Sequence, residues 1–302
     1  MNASGGGAAR PARLAVGIVS AGRVGSVLGN ALATAGHQVI GASGVSRASV
    51  RRAATLLPDV PLEPPDQVVE RSDLVLLAVP DDVLPGLVRG LATAGCFRPG
   101  QIVVHTSGAH GVAVLEPAVE HGVLPLALHP VMTFTGRQED VQRLAACSVG
   151  VTAARDDEAA WSVGEALVVE MGAEPVRVPE EVRPLYHAAL AHGANHLITL
   201  VRDCVDVLER AGVQPAERLI APLLSAALDN ALRHGDRALT GPVARGDVGT
   251  LRQHLRELGE HAPEVTASYR ALAERTAQRA RAAGLLRQHD AQEVHTALED
   301  TP

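Results

Sequence analysis

Short unbroken apolar runs alternate with stretches of helical period over the first 180 residues, and beyond residue 182 only the helical period continues. An apolar run of four to eight residues bounded by turn residues predicts a strand covered on both faces, as in a parallel sheet. Such runs fall at residues 14–19, 37–42, 73–79, 101–105 and 123–128, and two further strand-like segments lie at 148–152 and 174–178. Helical stretches separate them: one running to Gly36, an arginine-containing one from Arg47, a short one before Asp73, then 83–94, 112–121 and 158–171. Strands alternating with helices of about ten residues predict a doubly wound α/β sheet. The later pattern predicts helices over 184–211, 215–233 (kinked at Pro222), 248–259 and 263–284, with a Gly/Pro-containing loop at 235–246. Polar residues after Arg287 predict a disordered tail. The expected organisation is a tail over 1–12, an α/β domain over 13–180, an all-α domain over 181–286 and a second tail over 287–302.

The first strand leads into Ser20-Ala21-Gly22-Arg23-Val24-Gly25. A helix starting at such a turn points unpaired backbone N–H groups and the positive end of its dipole at the turn, which suits a pyrophosphate. In the dinucleotide fingerprint G-x-G-x-x-G the glycines serve the tight turn, the phosphate approach and close helix–strand packing. Here serine takes the first position. The end of the second strand reads the adenosine ribose, with an acid for NAD or small polar groups and an arginine for NADP. The residues present are Ser43, Ser46 and Arg47, with Arg51 and Arg52 following and no acid. NADP(H) is the expected cofactor; the bland alternative is that these arginines form a solvated helix face. The carboxyl end of the third strand, with Val79 and Pro80, is expected to line the cofactor crevice.

Composition narrows the classes of function. A chain of 302 residues exceeds the usual size of one core, and no apolar run is long enough to span a bilayer. The first twelve residues lack the apolar centre of a signal peptide, so a cytoplasmic protein is expected. Three widely separated cysteines fit neither a disulfide framework nor a zinc site. A net charge of −7 with two Tyr, two Phe and one Trp disfavours nucleic-acid binding. All 27 basic residues are arginine, which excludes Schiff-base chemistry and a lysine acid.

The serine-variant turn, Val79-Pro80-Asp81, His105-Thr106-Ser107-Gly108, Leu128-His129-Pro130 with Phe134, Tyr186-His187-Ala188-Ala189, and Gly241-Pro242 with Arg245-Gly246-Asp247 together resemble one family over residues 14–284. It is the Rossmann-like family whose helical C-terminal part is domain of unknown function 2520. The resemblance implies a Rossmann-like doubly wound sheet followed by an all-α domain similar to the C-terminal part of 6-phosphogluconate dehydrogenase. It places the chain near the 3-hydroxyisobutyrate and ketopantoate reductase group and makes ketopantoate (2-dehydropantoate) reduction a candidate activity. In that wider group a Ser/Thr-Gly segment contacts substrate and a helix between the domains offers Lys-x-x-x-Asn to the reacting oxygen. Ser107-Gly108 and Asn195 match; the lysine position is Ala191. One turn earlier lies His187, on the same helical stripe.

With no lysine available, His187 is the expected proton donor to a forming alkoxide, Asn195 the group that polarises the oxygen and Ser107 a substrate contact. His187 as a merely structural histidine remains open. His129 is equally a substrate contact or a turn residue, and the Arg245–Asp247 segment either clamps a carboxylate or pairs internally and caps a helix. His192 and His196 have the i, i+4 spacing of metal ligands, but no third ligand is evident, so no metal is expected. The expected activity is NADP(H)-dependent reduction of a small 2-oxo acid or related carbonyl in a cleft between the two domains, by a homodimer paired through the long helices. The alternatives are a prephenate- or imine-type dehydrogenase and an NADP(H)-binding regulator without turnover.

Overall fold

The computed structural model describes residues 13–300; the expected tails over 1–12 and at 301–302 lie outside the described residues. The chain packs as two units that divide between His192 and Gly193.

The first unit is built on seven strands: β1 (Ala15–Val19), β2 (Gln38–Ala42), β3 (Leu74–Leu77), β4 (Ile102–His105), β5 (Leu124–Pro130), β6 (Ser148–Thr152) and β7 (Glu174–Arg177), in the order β2-β1-β3-β4-β5-β6-β7. All neighbours pair in parallel except β5 and β6, which run antiparallel. The helices are α1 (Arg23–Thr34), α2 (Arg47–Leu56), α3 (Pro65–Arg71), α4 (Leu84–Thr93), α5 (Glu116–Val119), α6 (Gln138–Leu144) and α7 (Glu158–Glu170). Because side chains alternate across a strand, Val16, Ile18, Leu74 and Leu76 face one apolar layer with Val27, Leu28 and Leu56, while Val19, Val75 and Leu77 face the other with Leu84, Val88 and Leu115. This two-sided burial explains why the strands read as continuous apolar runs. The strand order reverses at β1, with β2 on one side and β3 on the other, and that switch point is where open α/β sheets bind ligands. The chain's one tryptophan, Trp161 on α7, is buried in the first layer; its indole N–H donates to the Ala154 carbonyl at 3.1 Å and the Arg177 guanidinium lies 5.0 Å over its ring.

After β7 come α8 (Arg183–Arg210), α9 (Ala216–His234, continuous through Pro222), α10 (Gly241–Arg245), α11 (Val248–His261), α12 (Pro263–Ala282) and α13 (Gln288–Asp300). The second unit has its own core, including Leu251, Leu255, Ala273, Ala277, Val294 and Leu298. No helix among the described residues is long and apolar enough to cross a membrane.

Three expectations are corrected. The tail after Arg287 is α13 as far as Asp300, because Val294, Ala297 and Leu298 form an apolar i, i+3, i+4 stripe that is buried against the core of the second unit. Residues 112–121 form a short 3₁₀ turn (Val112–Leu115) and then α5, since Pro117 cannot continue a hydrogen-bond ladder. The loop at 235–246 contains a 3₁₀ turn (Gly235–Ala238) and α10, whose Pro242 sits in the first turn where its missing N–H costs nothing. Helix α6 had no counterpart in the pattern. Its first turn is held by Asp140, buried, with one carboxylate oxygen accepting from the N–H groups of Thr135 (2.6 Å) and Gly136 (2.7 Å).

Candidate functional site

The turn after β1 is built as a cradle. A Cβ on Gly25 would lie 2.2 Å from the Ser20 carbonyl oxygen and 3.0 Å from the Ala78 Cβ, so only glycine lets α1 start this close to β1 and β3. Gly22, the N-cap of α1, has open space in front of it: a Cβ there would meet only the Ser20 hydroxyl, at 3.3 Å. Ser20 itself has φ +80°, the left-handed conformation that glycine supplies in the G-x-G-x-x-G pattern. Its backbone N–H donates to the Ser43 hydroxyl at 2.9 Å, and Ala21 N–H donates to the Ser43 carbonyl at 2.6 Å, so the buried Ser43 ties the turn to the end of β2. Ser46 caps α2 by accepting from Ser49 N–H at 3.0 Å. Arg23 and Arg47 are exposed, and neither pairs with a carboxylate among the described residues.

A cleft of about 530 Å³ opens along the carboxyl ends of β1, β2 and β3, with Ser20, Ser43, Ser46, Glu63, Val79 and Leu87 in its walls. Pro80 follows Val79 on the exposed rim. Glu63 supplies an acid that no motif indicated: its segment bridges to the end of β2 at Ala42 and Leu62, and its carboxylate pairs with Arg71. Glu63 is thus charge-paired, whereas Arg47, next to the wall residue Ser46, is not paired with a carboxylate among the described residues.

A second cluster lies at the carboxyl ends of β4 and β5. At its centre is Arg183, the first residue of α8, fully buried. Its Nε–H donates to the Thr152 hydroxyl (2.8 Å), one terminal nitrogen to the carbonyls of Ser107 (2.6 Å), His110 (3.0 Å) and Gly108 (3.3 Å), and the other to those of Gly150 (3.0 Å) and Ala127 (3.4 Å). The five-donor fork of guanidinium matches this carbonyl cage, which an ammonium could not fill. No carboxylate comes within ion-pair distance among the described residues; carbonyl dipoles surround the cation, the Tyr186 ring lies 6.0 Å from it, and Glu180 and Asp81 attract it only at longer range. Burial draws its pKa below the ordinary guanidinium range.

Above this charge sit two imidazoles. A Cβ on Gly108 would lie 2.6 Å from the His187 ring and 2.8 Å from His129 Nε2, so the glycine is what admits both rings. Their centroids are 5.9 Å apart, edge to face. His129 Nδ1 is 2.9 Å from the Tyr186 hydroxyl. Assigning the Tyr186 O–H as donor puts the ring proton of neutral His129 on Nε2, beside Gly108. Burial first, then the Arg183 charge and His187, lower the His129 pKa to about 4, so the ring is neutral at pH 7. Tyr186 also stays protonated, its pKa raised by burial. Beneath them His105, with its pKa lowered to about 3 chiefly by burial, bonds to the Gly111 carbonyl (2.9 Å) and accepts from Ser107 N–H (3.2 Å).

The structure therefore brings His129 and His187 together with Ser107 and Gly108. Ser107 is buried and its hydroxyl accepts from His110 N–H at 3.0 Å, which fixes the turn. Asn195 lies on α8 beyond the boundary of the first unit and is exposed. Arg245 and Asp247 approach each other at 3.6 Å, the internal pairing. The sequence pattern missed Arg183 and the Tyr186 hydroxyl, because an arginine preceding Pro184 reads as a solvated helix start.

Comparison with known proteins assigns the two halves. The sequence model of a Rossmann-like domain matches residues 1–130, and that of domain of unknown function DUF2520 matches residues 147–276. The chain is a Rossmann-like domain followed by DUF2520. No curated protein matches it. Among solved structures this Rossmann-like/DUF2520 chain is similar to a candidate NADP oxidoreductase from Bacteroides fragilis (TM-score 0.74, 19% identity, 88% of this chain and 98% of that one). It is also similar to an imine reductase from Streptomyces aurantiacus (0.64, 16%, 95% and 100%) and to one from Myxococcus stipitatus in complex with NADP+ (0.62, 18%, 89% and 93%). At these identities the likeness is one of fold.

Proposed function

We propose that this chain binds NADP(H) at the turn after β1 and reduces a small carbonyl compound, with 2-oxo acids as the leading substrate class and ketopantoate as the first candidate. The observation that carries this reading is the cradle at Gly25 and Gly22: one glycine is needed by the fold, and the other leaves room at a helix N-terminus for a phosphate. Ala21, Gly22, Arg23 and Val24 would hold the pyrophosphate, Ser43, Ser46 and Arg47 the ribose 2′-phosphate, and Val79 with Pro80 the path toward the reacting end. When bound, the nicotinamide supplies hydride. His187 donates the proton that the new hydroxyl requires; neutral His129 offers its Nε2–H as a hydrogen bond, and Ser107 shapes the turn beneath them. Asn195, two helical turns beyond His187, takes the role of polarising the oxygen, as its sequence spacing indicates.

Several structural neighbours are named as imine reductases, which makes C=N reduction the second reading. Arg183, with no carboxylate at ion-pair distance among the described residues, favours the first, because a buried cation under Gly108 attracts a carboxylate and repels an iminium. A homodimer belongs to the proposal, supported by exposed leucines at 219, 223, 228 and 232 on α9. A cytoplasmic setting is supported by three free cysteines.

The test follows NADPH consumption against ketopantoate, other 2-oxo acids and cyclic imines. Turnover of an oxo acid with loss of about 10²- to 10⁴-fold in His187→Ala at unchanged NADPH affinity supports the assignment. Tight NADPH binding without turnover of anything overturns it in favour of a regulator.

A further inference from the structure

The helical unit contains a cavity of about 660 Å³ that the proposed reaction does not use. Its size is that of a pocket for a small organic ligand. Along α8 the lining residues are Leu200, Asp203, Cys204, Val207 and Leu208, the i, i+3, i+4, i+7, i+8 stripe of an apolar helix face, and one member of that stripe is a carboxylate. Asp203 is half-buried and has no hydrogen-bond or ion-pair partner among the described residues. A packing role would be served by leucine at this position, whereas the carboxylate puts one unpaired charge on an otherwise apolar helix face.

Across the cavity the polar groups also converge. His254 on α11 places Nδ1 2.8 Å from the Tyr269 hydroxyl of α12, with the rings edge to face at 6.0 Å. The chain has two tyrosines, and each is joined to a histidine in this way, the other pair being Tyr186 with His129. Glu257 adds a second carboxylate to the lining, and no arginine lines the cavity. The Thr240-Gly241-Pro242-Val243 motif contributes Thr240, Pro242 and Val243 to the wall, although Arg245 and Asp247 of the same motif pair with each other elsewhere.

We infer that this cavity is a binding site for an apolar amine, its hydrocarbon body packed between α8, α11 and α12 and its ammonium group paired with Asp203. Charge complementarity selects this occupant: the charged lining is acidic, and the ammonium supplies the partner that Asp203 lacks. A charge-assisted N–H···O bond in an apolar surround is roughly twice as strong as a neutral one, so the ligand's charge controls affinity.

The experiment uses the full chain and three probes of one shape, 4-phenylbutylamine, 4-phenylbutanol and 4-phenylbutyrate, in titration calorimetry, with light scattering at each protein concentration. The amine is expected to bind saturably at one site per chain, the alcohol at least tenfold more weakly and the carboxylate more weakly still. Asp203→Asn removes the preference for amine over alcohol and leaves the alcohol affinity unchanged; Leu200→Trp, which narrows the cavity without touching the carboxylate, weakens both. Equal affinity of the three probes for the unaltered chain overturns the inference even if neither variant folds, as does an amine preference that survives Asp203→Asn. Binding that vanishes as the mass of the particle doubles overturns it in favour of a second copy of the chain as the occupant. Neither NADPH nor turnover enters the readout, so the result stands apart from the proposed reductase activity.

Discussion

Two glycines three residues apart make a paired prediction. At Gly25 an added methyl would lie 2.2 Å from the Ser20 carbonyl oxygen, about 1 Å inside any tolerable contact, and its other neighbours are the Ala78 Cβ at 3.0 Å and an Ile18 methyl at 3.1 Å. Backbone oxygen cannot swing aside as a side chain can, so α1 must move off the sheet. Overpacking of this kind costs about 1–3 kcal/mol, and Gly25→Ala should melt lower by about 2–4 °C for each of them. At Gly22 the φ of −72° suits any residue and an added methyl meets only the Ser20 hydroxyl. The loss of an N-cap glycine and the gain from a less flexible unfolded chain are each a fraction of about 1 kcal/mol and oppose one another, so Gly22→Ala should melt within a degree or two of the parent. The methyl stands where a phosphate would approach the α1 amides. NADPH titrated calorimetrically should bind Gly22→Ala at least tenfold more weakly, a loss of about 1.4 kcal/mol. A Gly22→Ala chain that folds normally and binds NADPH as the parent does would refute the placing of the nucleotide at this turn.

Other outcomes follow from single features. His129 and His105 have folded pKa values of about 4 and about 3 against 6.5 in the unfolded chain, so the unfolded state takes up more protons below neutrality; stability is fully present above pH 6.5 and declines on acidification toward pH 4, by up to about 1.4 kcal/mol per pH unit for each histidine. Urea unfolding from pH 7 to 5 checks this, and a flat profile would show both rings to be accessible to protons in the fold. Arg47→Ala should reduce a preference of at least tenfold for NADPH over NADH toward parity, read by calorimetry with both cofactors. Ser20→Gly relieves a residue held at φ +80° and should raise stability by up to about 1 kcal/mol in thermal melts.

The inner strands of the sheet were legible because they are covered on both faces: Leu74-Val75-Leu76-Leu77 has no polar side to obscure it. The fingerprint was legible in spite of Ser20, because Gly22 and Gly25 keep the spacing that helix packing requires. What escaped the pattern depends on contacts distant in sequence. Arg183 reaches carbonyls on residues 33 to 76 positions away, and nothing near it marks the burial. Glu63 joins the end of β2 through an isolated bridge rather than a strand. Helix α13 is polar on most of its surface, and its three buried residues acquire meaning only from the helices they cover. Asp203 reads as part of a solvated face until α11 and α12 enclose the other side of its stripe.

Trp161, tucked into the sheet unit under Arg177, gives the chain an optical asymmetry. Emission excited at 295 nm arises from this one ring and reports on residues 13–192 only, whereas ellipticity at 222 nm sums over the helices of both units. Recorded together on one sample, the two signals separate the unit that holds the glycine turn from the unit that holds the apolar cavity. Where the traces part, the two units are unfolding under separate equilibria; where they superpose, the molecule melts as one.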